Sequence, residues 1–550
     1  MRTNRLLLLF LLFTLAGVRG ASRPNIVLIL ADDLGYSDLG CYGGEIETPN
    51  LDRLAAGGLR FERFYNAGRC CPTRASLLTG LFPHQAGIGH MNYDAGEPGY
   101  RGELNRETAT IAEVLGAAGY TTGMSGKWHV TPNTKPDGDR SNWPRQRGFD
   151  HFYGTLPGHG SLWDPAGLFL ENEPAEAGAD YFYTDAIADD AARFIERCGR
   201  GDDPFFLYVA FTAPHYPLHA REETIAKYDG VYDTGWDRLR IQRFERLKRI
   251  GLVADHAKLP PRDPGSIPWE KDPNQEWQAH RMQVFAAMVD EMDQAIGRIL
   301  AALEKARADE NTLIVFLSDN GGSPEGHLNN TIERLEKPWV SSLIPEKTPE
   351  GKAVVAGDIP GLKLGPANTY GSYGLRWSSV SNTPFRRHKA WMHEGGIASP
   401  CIVCWPGKVS DPGRITREPG HIVDLMPTFL EVAGAGHPEQ EHRLSGRSLR
   451  GVFAGGRLDR PFLAWEHEGN RAIRMGRWKL VSEYPGTWKF FYPYEKEGAW
   501  ELYDLESDPT EMEDLAGEKP GKVKELQKRY ETWAKESLVV PWDQLANKKI

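Results

Sequence analysis

Three uninterrupted runs of β-branched, aliphatic and aromatic residues constrain this fold more than any other feature. They are Asn25 to Leu30 (NIVLIL), Pro204 to Phe211 (PFFLYVAF) and Thr312 to Leu317 (TLIVFL). A strand with one wet face alternates apolar and polar residues, whereas a strand covered on both faces does not. The runs therefore read as strands of a parallel sheet with helices on both sides. The sequence between them supplies the helices. Thr48-Pro49-Asn50 opens one through Leu54, with Thr48 as N-cap and Pro49 in the first turn, closed by Gly57-Gly58. Thr110 to Ala118 is another, closed by Gly119, and Tyr120 to Met124 resumes a strand. From Met282 to Leu303, residues Val284, Met288, Met292, Ile296, Ile299 and Leu303 recur at helical spacing. Such alternation implies an α/β fold with a large, mostly parallel sheet flanked by helices.

The chain has 550 residues, 40% hydrophobic and 25% charged, enough for a large core. Its texture changes after about Leu449, where short β-like runs appear: PFLAW, RAIRMG, WKLVSEY and WELYDLE. With a final helix from about Lys522 to Glu536, this reads as a smaller α+β subdomain containing an antiparallel sheet. The division is then 1–20, 21–449 and 450–550. Residues 1–20 have the form of a secretory signal: Arg2 and Arg5, an apolar run from Leu6 to Leu15, and a cut after Gly20. The run is too short to span a bilayer, and the alternative is an uncleaved anchor. The mature chain is thus expected to be exported, periplasmic or extracellular, with no transmembrane segment. Net charge is -10, which repels polyanions and argues against a nucleic-acid partner. An anionic substrate would need a local basic pocket.

Six cysteines, at 41, 70, 71, 198, 401 and 404, are too few for a disulfide scaffold. Cys401 and Cys404 form a C-x-x-C within an apolar strand-like stretch. No second pair or nearby His completes a zinc site, so they read as buried structural residues. Two acidic pairs stand at the carboxyl ends of two expected strands: Asp32-Asp33 and Asp319-Asn320. In open parallel sheets that edge is where ligands bind. Carboxylates gathered there repel unless a cation neutralises them. The donors are all hard oxygens, which suits Ca²⁺, or Mg²⁺, rather than zinc. The Gly- and Pro-rich stretch from Ser323 to Ser381 reads as loops lining one side of a pocket, with the aromatic-rich Tyr370 to Trp377 either shaping its rim or belonging to the core.

Cys70 to Gly80, CCPTRASLLTG, has the spacing C-x-P-x-R-x-x-x-x-T-G. Further blocks follow in order: GKWH with Lys127 and His129, APHYP with His215, and NTPFRRHKAWMHEGG with Lys389. In order and rough spacing these resemble the blocks of the type I, formylglycine-dependent sulfatases, closest to the arylsulfatase-like branch of the alkaline-phosphatase-like superfamily. The resemblance runs over nearly the whole mature chain. It departs at GKWHVTP, where relatives often read GKWHLG, and at EGGIASP, where they often read EGGIRVP.

The resemblance implies a sulfatase hydrolysing aryl or carbohydrate sulfate monoesters to an alcohol and inorganic sulfate. A maturation enzyme would oxidise Cys70, rather than Cys71, to formylglycine (3-oxoalanine), whose hydrate attacks sulfur. One divalent cation would be held by Asp32, Asp33, Asp319, Asn320 and the modified Cys70. His215 would protonate the leaving alcohol, helped by Lys389; His129 would take the proton that lets the hydrate collapse; Lys127 and Arg74 would hold the formylglycine and its charge. Two rivals exist: a phosphatase or phosphonate hydrolase of the same superfamily, and a catalytically silent sulfate-binding relative or unmatured protein.

Overall fold

The computed structural model describes residues 23–199, 201, 203–326, 343–436, 442–484 and 498–546. The signal reading for 1–20 lies outside the described residues, as does the 327–342 part of the segment read as pocket loops.

Ten strands form one sheet: β1 (Asn25–Ala31), β2 (Leu59–Phe61), β3 (Thr121–Gly126), β4 (His151–Thr155), β5 (Leu168–Leu170), β6 (Glu173–Pro174), β7 (Phe205–Ala210), β8 (Thr312–Ser318), β9 (Cys401–Cys404) and β10 (Ile415–Thr416). Their order is β10-β2-β9-β8-β1-β7-β3-β4-β5-β6. The central five, β8 to β4, are parallel. The flanks mix direction: β9 runs antiparallel to both neighbours, and β5 and β6 continue antiparallel beyond β4. All three apolar runs are central strands, and their alternate residues enter two cores. Val27, Ile29, Val209 and Phe316 pack into one, while Ile26, Leu28, Leu30, Tyr208 and Leu317 pack into the other.

The helices used below are α1 (Pro49–Gly57), α2 (Cys70–Thr79), α3 (Ile111–Ala117), α4 (Tyr183–Cys198), α5 (Gly235–Arg249), α6 (Gln275–Ala306), α7 (Gly374–Ser381) and α8 (Pro520–Glu536). Thr110 caps α3 through a full capping box with Glu113. Thr48 does not cap α1: its hydroxyl accepts from the Gly40 amide (2.9 Å) and donates to Asp52 (3.2 Å), tying the helix to the preceding turn. Helix α6 starts seven residues before the apolar repeat becomes visible at Met282.

The C-terminal part contains an antiparallel sheet in sequential order, β11 (Leu463–His467), β12 (Asn470–Met475), β13 (Trp478–Ser482) and β14 (Glu501–Asp504), with α8 against it. The α/β architecture with a smaller antiparallel sheet is thus the one expected. Two local readings are decided. Residues 374–381 are helix rather than loop, and Trp377 is fully buried among Tyr232, Trp236 and Trp269, so it is core and not rim. Cys401 and Cys404 lie buried on β9, and none of the six cysteines is in a disulfide.

Candidate active site

Four adjacent parallel strands end at the same level. Ala31 of β1 pairs with Ser318 of β8, Leu30 with Ala210 of β7, and Ala210 with Gly126 of β3. Whatever follows these residues converges on one spot. Asp32-Asp33 follow β1, Asp319-Asn320 follow β8, Lys127-Trp128-His129 follow β3, and His215 lies five residues past β7. Helix α2 aims its N-terminus at the same spot and brings Cys70 and Arg74; Lys389 arrives from the loop after α7. All the residues singled out in the sequence are buried here, Cys70 at 2% exposure and His129 at 6%.

The charges interlock. Arg74 donates to Asp319 Oδ2 from Nη2 (2.8 Å) and Nε (3.2 Å), and to the Lys127 carbonyl (3.0 Å). Lys127 Nζ donates to Asp32 Oδ2. Lys389 Nζ bridges Asp33 (2.9 Å) and Glu325 (3.0 Å) and lies 3.5 Å from His215 Nε2. Arg74 and Lys127 thus hydrogen-bond to carboxylates, because three adjacent buried acids demand counter-charge, while their positive charge also acts on Cys70. Burial pushes the Asp33 and Asp319 carboxyls up. It acts on Asp32 as well, but Lys127, His215 and Arg74 outweigh it and hold that carboxyl below its usual range. His215 Nδ1 donates to the Tyr216 carbonyl (2.7 Å), which turns Nε2 toward Asp33 Oδ2 at 3.4 Å. His129 Nε2 lies 3.2 Å from Cys71 Sγ, and burial lowers its imidazole to about 4.

Two backbone positions carry strain. Asp33 (φ 66°) and His129 (φ 58°) are left-handed without being glycine, a cost of order 1–3 kcal/mol each that clusters at functional sites. Both are the second or third residue past a strand end, where the chain must turn sharply to point its side chain along the sheet.

A cation fits the donors. Asp32 Oδ1 and Asn320 Oδ1 are buried and have no hydrogen-bond partner among the described residues. Two orphaned hard oxygens beside Asp33 and Asp319 match an oxygen-ligated Ca²⁺ or Mg²⁺.

Residues not singled out in the sequence also contribute. Glu325, the second counter-ion of Lys389, falls in the stretch read only as pocket-lining loops. Arg69, immediately before Cys70, lines the pocket. His159 stacks on His215 (ring centroids 5.2 Å apart), and its Nδ1 shares a hydrogen bond with the Tyr370 hydroxyl (2.7 Å). None lies in a recognisable motif; only the position of Arg69 next to the signature offered a signal. The pocket over Cys70 encloses about 480 Å³, with His159, Tyr216 and Lys135 in its walls.

Fold and cluster together define an α/β enzyme with a cation-lined pocket at the carboxyl edge of its sheet. The chain belongs to the sulfatase family: the family model described as Sulfatase matches residues 24–435, and that of N-sulphoglucosamine sulphohydrolase, C-terminal, matches 386–536. It is 35% identical to an uncharacterised sulfatase of Schizosaccharomyces pombe over 92% of both chains. It is 34% identical to the arylsulfatase of Klebsiella aerogenes, over 75% of this chain and 87% of that one. Human arylsulfatase A is 30% identical over 94% of this chain and 88% of its own. Among solved structures, Ps i-CgsB in complex with k-i-k-neocarrahexaose superposes with a TM-score of 0.64 at 25% identity, covering 93% of each chain. The protein is accordingly a sulfuric ester hydrolase.

Proposed function

We propose that this enzyme hydrolyses sulfate monoesters of aryl or carbohydrate alcohols, using formylglycine made from Cys70 and one bound divalent cation. The observation that carries the reading is the convergence of four strand ends and the N-terminus of α2 on Cys70, with the oxygens of Asp32 and Asn320 left unpartnered. The formylglycine hydrate supplies a nucleophilic oxygen and a second hydroxyl that allows sulfate to leave without water attacking the ester. Asp32, Asp33, Asp319 and Asn320 would hold a cation, Ca²⁺ by the donor set, which neutralises sulfate charge and acidifies the attacking hydroxyl.

The chain's own residues do the rest. Lys389 and Lys127 place positive charge around the sulfate oxygens, where electrostatic stabilisation is the largest catalytic contribution. His215 Nε2, turned into the pocket by the bond from Nδ1, delivers a proton to the departing oxygen. His129 Nε2 takes a proton beside residue 70, a role suited to an imidazole that burial keeps neutral. Arg74 acts through Asp319 and the Lys127 backbone as a positioning residue. His159 and Tyr216 offer ring faces to the alcohol part.

A maturation enzyme and export complete the proposal; no helix among the described residues is long and apolar enough to cross a membrane. The deciding measurement is the mass of the peptide spanning residues 70–74 from purified active protein, with and without an aldehyde-trapping reagent. A peptide lighter than the cysteine form, shifted up by the reagent's mass less one water when the aldehyde is trapped, is the expected result. Only unmodified thiol in active protein refutes the formylglycine, and faster turnover of aryl phosphate than aryl sulfate refutes the substrate class.

A further inference from the structure

A second cluster of ligand-type side chains lies buried beyond Arg69. His467 is the last residue of β11, and Glu468 is the first residue of the two-residue turn into β12. His90 sits on the loop after α2. All three are buried, at 0%, 8% and 7% exposure respectively. His90 Nε2 lies 3.5 Å from Glu468 Oε1, and His467 Nε2 lies 3.6 Å from the same oxygen. The two imidazoles meet edge-on with centroids 5.3 Å apart.

These distances are informative. Two ligands bound at about 2.0–2.1 Å to a tetrahedral zinc ion stand about 3.3 Å apart. Both observed edges are within a few tenths of an ångström of that value. The usual reason to bury a histidine is a hydrogen bond for each ring nitrogen. Here both nitrogens of His467, and Nδ1 of His90, have no hydrogen-bond partner among the described residues. The backbone agrees. Glu468 adopts φ 49° at a hairpin position that favours Asn or Gly. That strain directs its carboxylate inward, where Oε1 also accepts from Arg69 Nη1 at 2.5 Å. A hydrogen bond from a neighbouring donor to a metal-bound carboxylate is a common supporting interaction.

The loop is held independently of any ion. His84 bonds Glu466 at 2.8 Å and Tyr100 donates to the same carboxylate at 3.1 Å, so His90 is presented to the hairpin by a fixed frame.

We propose that His90, His467 and Glu468 bind a first-row transition-metal dication, zinc by the imidazole–carboxylate donor set, at a site separate from the oxygen-lined centre at Asp32 and Asp319. With three protein ligands, one coordination position is open to water. The ion would pin the β11–β12 turn to the loop after α2, on the far side of Arg69 from the reaction pocket.

The test loads chelator-treated, full-length protein with Zn²⁺ in the presence of excess Ca²⁺ and measures zinc and calcium per chain after gel filtration. About one zinc per chain is expected, with a melting temperature that rises on zinc addition. His467→Gln and His90→Gln should each retain less than about a tenth of that zinc, with calcium content and circular dichroism unchanged. If His467→Gln fails to fold, Glu468→Gln at the turn is read in its place. No zinc retained by the parent chain overturns the site. So does equal retention by the histidine variants, and so does loss of zinc in Cys71→Ser, which would move the ion to the Cys70–Cys71–His129 group. None of these readouts depends on turnover, so this site and the catalytic reading fail separately.

Discussion

His215 is the residue whose proposed role is most readily separated from simple structural support. It touches the pocket through Nε2 alone, its other nitrogen being committed to the Tyr216 carbonyl. A positioned general acid contributes roughly 10²–10⁴ in rate. His215→Ala should therefore lose that factor on esters of poorly acidic alcohols and far less on activated phenyl sulfates. Equal losses across a leaving-group series would remove it from the acid role. Arg74 predicts differently, because it is fully buried and paired to Asp319. Removing one partner of a buried pair costs about 3–5 kcal/mol. Arg74→Met should accordingly lower stability in chemical denaturation as well as activity, whereas Cys70→Ala should abolish turnover and leave the denaturation midpoint near that of the parent.

At the scale of elements, the strand ends depend on two glycines. A Cβ on Gly126 would stand 2.0 Å from the Ala210 carbonyl oxygen, and one on Gly154 would stand 1.9 Å from the Gly126 oxygen. β3 can lie between β4 and β7 up to its last residue only because neither carries a side chain. Gly126→Ala is expected to destabilise by more than about 4 kcal/mol, seen as insoluble or poorly cooperative protein. Helix α6 carries a pH effect at Glu291. Burial raises that carboxyl from 4.5 to about 7, although it accepts the Arg221 amide at 2.9 Å. A raised folded-state value means that the folded protein binds the proton more tightly. The stabilisation is full below about pH 4.5 and is lost as pH rises through about 7. Glu291→Gln should therefore gain melting temperature relative to the parent at pH 8 and match it near pH 5; an equal difference at both values would contradict the assignment.

These elements also mark how far the sequence was legible. β1, β7 and β8 were readable because strands covered on both faces must be apolar throughout, and the donor pairs were readable because they follow those runs directly. β2, β5 and β10 were not readable, being two or three residues long and defined by pairing rather than pattern. Helix α6 lost its first turns because QEWQAHR has no apolar period, and Trp377 stayed open between rim and core because aromatic content does not distinguish them. Glu325 and His159 gain their place from loops whose paths no local rule sets, whereas Cys70, Lys127 and His215 lie in motifs.

Across the whole molecule, the C-terminal sheet is joined to the α/β part by buried charge. Lys479 of β13 bonds Glu394 (2.8 Å) and Glu511 (2.7 Å), and Arg63 adds a contact to Glu394 at 3.2 Å. Glu394 belongs to the segment just before β9, so one side-chain network spans both parts. The boundary expected near residue 450 accordingly has buried ion pairs across it. We expect one calorimetric unfolding transition rather than two, and Lys479→Met, which leaves two buried carboxylates without their lysine, should cost about 3–5 kcal/mol. Two resolved transitions in the parent protein would show that the halves melt independently.

The parallel pairing of β1 with β8 has a consequence for timing. Asp33 and Asn320 touch across a separation of 287 residues, so the centre of the sheet is closed by a long-range pairing. Such contacts form late, because a long loop must be closed before they repay its entropy. During synthesis the helix bearing Cys70 emerges long before β8 exists to complete the sheet beside it. In the finished fold Cys70 is 2% exposed, beneath charges that lock around it. The proposed maturation enzyme would reach this side chain most easily in the interval before β8 arrives, and the order of the strands along the chain keeps that interval open.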